Sequence, residues 1–262
     1  MALDIDRFAH LESLLQRWDP RTKILSLMLF IVAVALLHSI ALATCALLIA
    51  LGLLRITRIP RAFVASGVTW VLLFLLPFLL IMPATYPGEP DTHLLGIPFA
   101  WPGFRLAILI VIKALTIVLT SYVIFGTTRF DISMMALQHL KCPAVFVQML
   151  LFTYRYIFVF VEEMRRMDIA MKARGFVAKP NMNTLRISGN FVGTLLIRSF
   201  ERTDRIYKAM LSKGYRGEFH SLTTFSFTSY DALKAAITIA VALLLFGVNQ
   251  TALFTPAEQG WL

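Results

Sequence analysis

Residues 24–54 read ILSLMLFIVAVALLHSIALATCALLIALGLL, a run without one Asp, Glu, Lys or Arg. At 1.5 Å per residue these roughly 31 positions are too long for one simple membrane crossing and short for two full ones. Two short helices turning near His38-Ser39 fit the run best. Asp19-Pro20 ahead of it supplies an N-cap and a first-turn proline, and Arg21 and Lys23 are placed to reach lipid headgroups.

The rest of the chain follows the same solvent logic. Hydrophobic residues make up 58% and charged residues 15%, and the mean hydropathy of +0.73 places the chain in a bilayer rather than in water. Further apolar runs cover Ser66 to Met82, kinked by Pro77, then Leu106 to Gly126 and Ala232 to Val248. Together with 24–54 they predict an all-α integral membrane protein of about five transmembrane helices. Between them, residues 83–104 hold Pro83, Pro87, Pro90, Pro98 and Pro102 and read as a loop. Leu3, Phe8, Leu11, Leu14 and Leu15 recur near helical spacing, so residues 1–23 are expected to open with an amphipathic interfacial helix. A cleavable leader is not expected, because Asp4, Asp6, Glu12 and Asp19 precede the first apolar run.

Residues 144–161 are apolar apart from Arg155 and are long enough to cross. The following segment, 162–217, carries twelve Lys or Arg against five Asp or Glu, which by the positive-inside rule keeps it cytoplasmic. The expected plan is therefore helices 1–4 over 24–126, two long cytoplasmic helices within 127–220, a last span over 231–248 and a tail over 249–262. It sets the N-terminus inside. The net charge of +10 follows this topology, and no groove-reading motif points to nucleic acid.

The basic segment contains an echo: Ala170-Met171-Lys172-Ala173-Arg174-Gly175-Phe176 and, later, Ala209-Met210-Leu211-Ser212-Lys213-Gly214-Tyr215. The two match at every position by identity or class except Lys172 against Leu211. Each closes a helical stretch, Pro143 to Arg174 and about Asn183 to Lys213, with a glycine suited to the left-handed C′ position. A basic residue in a last turn commonly does no more than complement the helix dipole. Its recurrence at two helix ends points instead to a cationic tip for a carboxylate on a partner. Gly189 and Gly193, four apart on the second helix, suggest a small face where the first long helix crosses.

These motifs, with Asp19-Pro20-Arg21-Thr22-Lys23, Arg165-Arg166, and Ser199-Phe200-Glu201-Arg202 running to Gly214-Tyr215-Arg216-Gly217, resemble the transmembrane T component of energy-coupling factor transporters, and more closely its cobalt-transport Q-subunit branch. The resemblance implies that Ala173-Arg174-Gly175 and its counterpart Ser212-Lys213-Gly214 end two coupling helices that dock on two cytoplasmic ABC-type ATPase subunits. In the second copy a lysine replaces the expected arginine, keeping the charge and losing the planar fork, and Arg216 stands where it could assist. ATP and magnesium would be bound by those ATPases, and substrate by a separate membrane subunit. The expected cargo is cobalt or nickel.

No Gly-x-x-x-x-Gly-Lys-Ser/Thr loop occurs in the sequence, so the chain is not expected to be an enzyme or to carry a cofactor. His10, His38, His93, His139 and His220 are scattered, Cys45 and Cys142 form no Cys-x-x-Cys pair, and no metal site is expected. Lys113 and Arg155, charges inside apolar runs, are anchors or partner contacts. Alternatives are a self-contained secondary transporter or channel, which would show inverted repeats, an intramembrane enzyme, which would need paired catalytic groups, and a permease of another ATP-driven system such as vitamin uptake.

Overall fold

In hydrocarbon every backbone N–H and C=O must be satisfied within the protein, so apolar runs of this length fold as helices. The structure, a computed structural model, describes residues 15–16, 18–86, 92–94, 97–217 and 227–254, without the side chains of 92–94, 97–99 and 251–254. Its helices are α1 (Pro20–Ala35), α2 (Ile40–Thr57), α3 (Arg61–Thr85), α4 (Trp101–Gly126), α5 (Phe130–His139), α6 (Ala144–Ala173), α7 (Met182–Ser212) and α8 (Ser229–Phe254). A short antiparallel hairpin, β1 (Thr92–Leu94) with β2 (Ile97–Phe99), joins α3 to α4. The protein is an all-α integral membrane protein, and among the described residues five helices are long and apolar enough to cross a bilayer.

Those five are α2, α3, α4, α6 and α8. Length and composition alone give the expected number of candidates and count α6 among them in place of α1. Helix α1, with 16 residues and about 24 Å, is shorter than these five, whereas α6 has 30 residues and begins apolar. Other boundaries shift too. Helix α3 runs through Pro77 and Pro83 to Thr85, and α4 takes Pro102 in its first turn, where the missing N–H would be unpaired anyway. The proline-rich connection is thus shorter than 83–104, and Ala100 N donates to Pro83 O at 3.0 Å across its base. Helix α8 continues past Val248 to Phe254. Residues 20–23 belong to α1, and the amphipathic helix expected before them lies outside the described residues except for Leu15 and Gln16, which form a turn.

The described residues fall into two compact units, 15–133 with 227–254, and 134–217. In the first, α4 packs against α1, α2 and α3, and α8 packs against α1. Ala107, Leu109, Leu119, Val123 and Ile124 face this interior from α4, while Trp70, Phe74 and Leu80 of α3 stay exposed as a lipid-facing surface would. Thr116 and Thr120, also buried on α4, return their hydroxyl protons to Ile112 O and Thr116 O, both at 2.8 Å.

Two lysines sit differently from expectation. Lys23 does not reach headgroups; it is wholly buried, under Leu15 and Trp18, which pack on Leu27, Val123 and Ile124. Its three ammonium protons go to Leu15 O (3.4 Å), Thr127 Oγ1 (2.9 Å) and Thr128 Oγ1. Thr127 gives its own proton to Val123 O at 2.6 Å, leaving its lone pairs for the ammonium. Lys113 turns inward and donates to Leu37 O at 2.8 Å. There the chain reverses between α1 and α2 at residues 36–39, as the run length predicts, without proline or glycine. Asn249 of α8 completes the reversal: its Oδ1 accepts from His38 N at 2.8 Å and its Nδ2 donates to Leu36 O at 3.3 Å. Arg155 is exposed on α6.

Replacing Lys23 by methionine preserves bulk but strips three acceptors of their donor. We expect a loss of about 1–3 kcal/mol, read as a lower thermal midpoint of the detergent-solubilised protein. Methionine at the exposed Lys179 should leave the midpoint unchanged. Equal midpoints for the Lys23 variant and the parent would remove Lys23 from the structural core.

Candidate functional site

The second unit is built on α6 and α7. Helix α6 loses its apolar character along its length, from Val145-Phe146 at its start to Glu162-Glu163 and Arg165-Arg166. Helix α7 is amphipathic, capped by Asn181, whose side chain accepts from Thr184 N at 2.8 Å. Arg198 of α7 pairs with Glu163 of α6. Farther along, Tyr215 Oη donates to Gln148 Oε1 at 2.7 Å, and Gln148 Nε2 donates to Gly217 O at 3.1 Å. Positions rising along α6 meet positions falling along α7, so the helices are antiparallel. Between the ion pair and the tip they stand apart around an open cleft lined by Tyr156, Phe160, Arg202, Arg205 and Ala209.

Both helices end in the same backbone device. After α6, Gly175 N donates to Lys172 O at 3.0 Å and Phe176 N to Met171 O at 3.1 Å. After α7, Gly214 N donates to Leu211 O at 3.0 Å and Tyr215 N to Met210 O at 3.0 Å. These are paired Schellman closures, with Gly175 at φ +81° and Gly214 at φ +84° in the left-handed C′ position that a Cβ disfavours. Arg174 and Lys213 occupy the same cap position, and both are exposed. Ala173 and Ser212 are the last residues of the two helices, and Arg216 is exposed just beyond the second glycine. Because the helices are antiparallel, their C-terminal caps lie at opposite ends of the pair, about 40 Å apart along α6.

Gly189 and Gly193 are not where α6 and α7 meet. A Cβ on either would touch nothing within 4 Å, and the ties between the helices fall instead at Glu163–Arg198 and at Gln148. Polar side chains, not a small-residue face, hold this pair. Among the described residues no group of His, Cys, Asp or Glu is placed to hold a metal ion.

A family model described as cobalt transport protein, CbiQ, matches residues 12–225. The chain belongs to the CbiQ family. Similar curated proteins include the energy-coupling factor transporter transmembrane protein EcfT of Bacillus subtilis, 28% identical over 89% of this chain and 93% of the relative. The cobalt transport protein CbiQ of Rhodobacter capsulatus is 27% identical over 58% of this chain and 62% of its own length. An uncharacterised protein of Methanocaldococcus jannaschii is 26% identical over 98% of this chain and 87% of its own. The protein is thus a multi-pass transmembrane transport component of the energy-coupling factor type. The matched region takes in both capped tips.

Charge and glycine alone left four polar residues unnoticed: Gln148, Asn249 and the Thr127-Thr128 pair. The available signal was an amide or hydroxyl within or at the edge of an apolar run, which in a membrane protein is costly unless bonded.

Valine in place of Gly214 should strain the left-handed position by about 1–2 kcal/mol and fray the last turn of α7. Hydrogen exchange at the amides of Lys213 and Tyr215 should then rise by about tenfold, with exchange around Gly175 unaltered. Unchanged exchange at both amides would mean that the glycine does not hold the cap.

Proposed function

We propose that this chain is the coupling scaffold of an ATP-driven importer, in which two cytoplasmic ABC-type ATPase subunits each engage one cationic tip. The observation that carries the reading is the duplicated closure: Arg174 and Lys213 at equivalent cap positions, exposed, at opposite ends of one antiparallel pair. A guanidinium or ammonium fixed at a rigid helix end suits a carboxylate on each ATPase, and the separation suits two copies rather than one. Arg174 can pair in bidentate fashion, whereas Lys213 acts as a point charge with Arg216 beside it. ATP and magnesium belong to the ATPases. Movement of the two ATPases is delivered through α6 and α7 as mechanical displacement.

The positive-inside distribution supports a cytoplasmic N-terminus and residence in the cytoplasmic membrane. A separate membrane subunit recognises the cargo. The family description favours cobalt, with nickel as the neighbouring divalent ion. Accumulation of cobalt(II) against nickel(II) and a vitamin in cells expressing the whole complex distinguishes these cargoes.

The docking role is tested by Arg174→Glu combined with Lys213→Glu. Membrane insertion should be retained while co-purification of the ATPase subunits is lost. A double variant that still assembles and supports uptake would rule out the tips as the coupling site.

A further inference from the structure

The backbone closures of the two tips are alike, but their surroundings are not. Tyr215 and Gly217, on either side of Arg216, are both fastened to the side-chain amide of Gln148, one through Oε1 at 2.7 Å and the other through Nε2 at 3.1 Å. Gln148 is itself buried in the second turn of α6, next to Val147, and these two are the buried residues of that helix. Gly217 takes a left-handed φ of +93° directly after Arg216. At the α6 tip the residue matching Tyr215 is Phe176, which has no hydroxyl with which to make such a bond.

We infer that Gln148 is a positioning residue that holds Lys213 and Arg216 outward together, making the second tip a two-cation docking element while the first presents Arg174 alone. The physical reason lies in the substitution at the tip. A lysine ammonium on a flexible stem gives a partner carboxylate less orientation than a guanidinium does. Fixing the backbone on both sides of Arg216 lowers the entropy that a second cation would lose on docking, so a preorganised pair offsets the lost fork. An amide is suited to the task because it offers an acceptor to Tyr215 and a donor to the Gly217 carbonyl at once. This inference rests on the proposed docking of ATPases at the tips.

The test uses the full chain in lipid nanodiscs. In a background where Cys45 and Cys142 are alanine, a nitroxide is placed at Arg216→Cys. Its spectrum should narrow when Tyr215→Phe or Gln148→Leu is added, while a nitroxide placed at Val177→Cys in the same background stays as it was. In parallel, the cognate ATPase is titrated onto the unlabelled protein: Tyr215→Phe should weaken binding on the order of fivefold, the size of one lost hydrogen bond, and Gln148→Leu, which loses both bonds, by at least as much. The double variant should be no weaker than the worse single one, because both remove one device. Tyr215→Phe deletes a single oxygen and keeps the question answerable should Gln148→Leu fail to fold. Unaltered spectra, or unaltered affinity alongside narrowed spectra, overturn the inference. If the parent chain binds no ATPase, the docking role itself fails, and with it the two-cation element, while the spectra still decide whether Gln148 braces the tip.

Discussion

A backbone carbonyl that leaves a helix inside a membrane must find a donor from its own protein, and this requirement organises the first unit. Helix α1 stops short, and the carbonyls of Leu36 and Leu37 would face hydrocarbon or a void. Asn249 and Lys113 reach them from α8 and α4, so three helices are joined at one reversal. At the other end of α1, Lys23 reads the same rule from the cation's side: its ammonium is wrapped by one carbonyl and two hydroxyls at the exit of α4. Apolar packing of Phe30, Val34, Leu37, Ala46 and Leu245 fills the space between. The bundle is thus pinned by a few polar contacts and bulked out by many apolar ones.

The second unit follows different physics. Helix α7 has no buried residue, and its pairing with α6 relies on an ion pair and an amide bridge rather than on an interlocked core. An exposed ion pair of this kind contributes little to stability by itself. Its value is in setting which parts of two long helices lie opposite one another. Under the proposed coupling role the pair needs stiff members and defined ends more than it needs a core, and the Schellman closures supply the ends.

Much of this was legible in the residues. The apolar runs, the reversal near His38, the Asp19-Pro20 start and the paired glycine stops all rest on local rules of length, capping and handedness, and each appears in the structure. The membership of the spans was harder. Charge placement argued that 144–161 stays out of the membrane, whereas length and composition alone count α6 as a candidate and pass over the shorter α1. Gly189 and Gly193 suggested a crossing because small residues four apart permit one, but permission is not contact, and the space above them is open.

What the sequence determined by itself is therefore everything that depends on neighbours along the chain: helices, their caps, the repeat of the cationic tip, and membership of a transport family. Only the tertiary structure decided which polar side chains answer which backbone groups across the fold. Lys23 turned inward rather than to the headgroups, Lys113 and Asn249 met at the α1–α2 reversal, and Gln148 took hold of the second tip. The reason is geometric. A lysine or an amide looks the same in the sequence whether it faces lipid, water or a carbonyl far along the chain, and its low-energy partner exists only once the helices have packed.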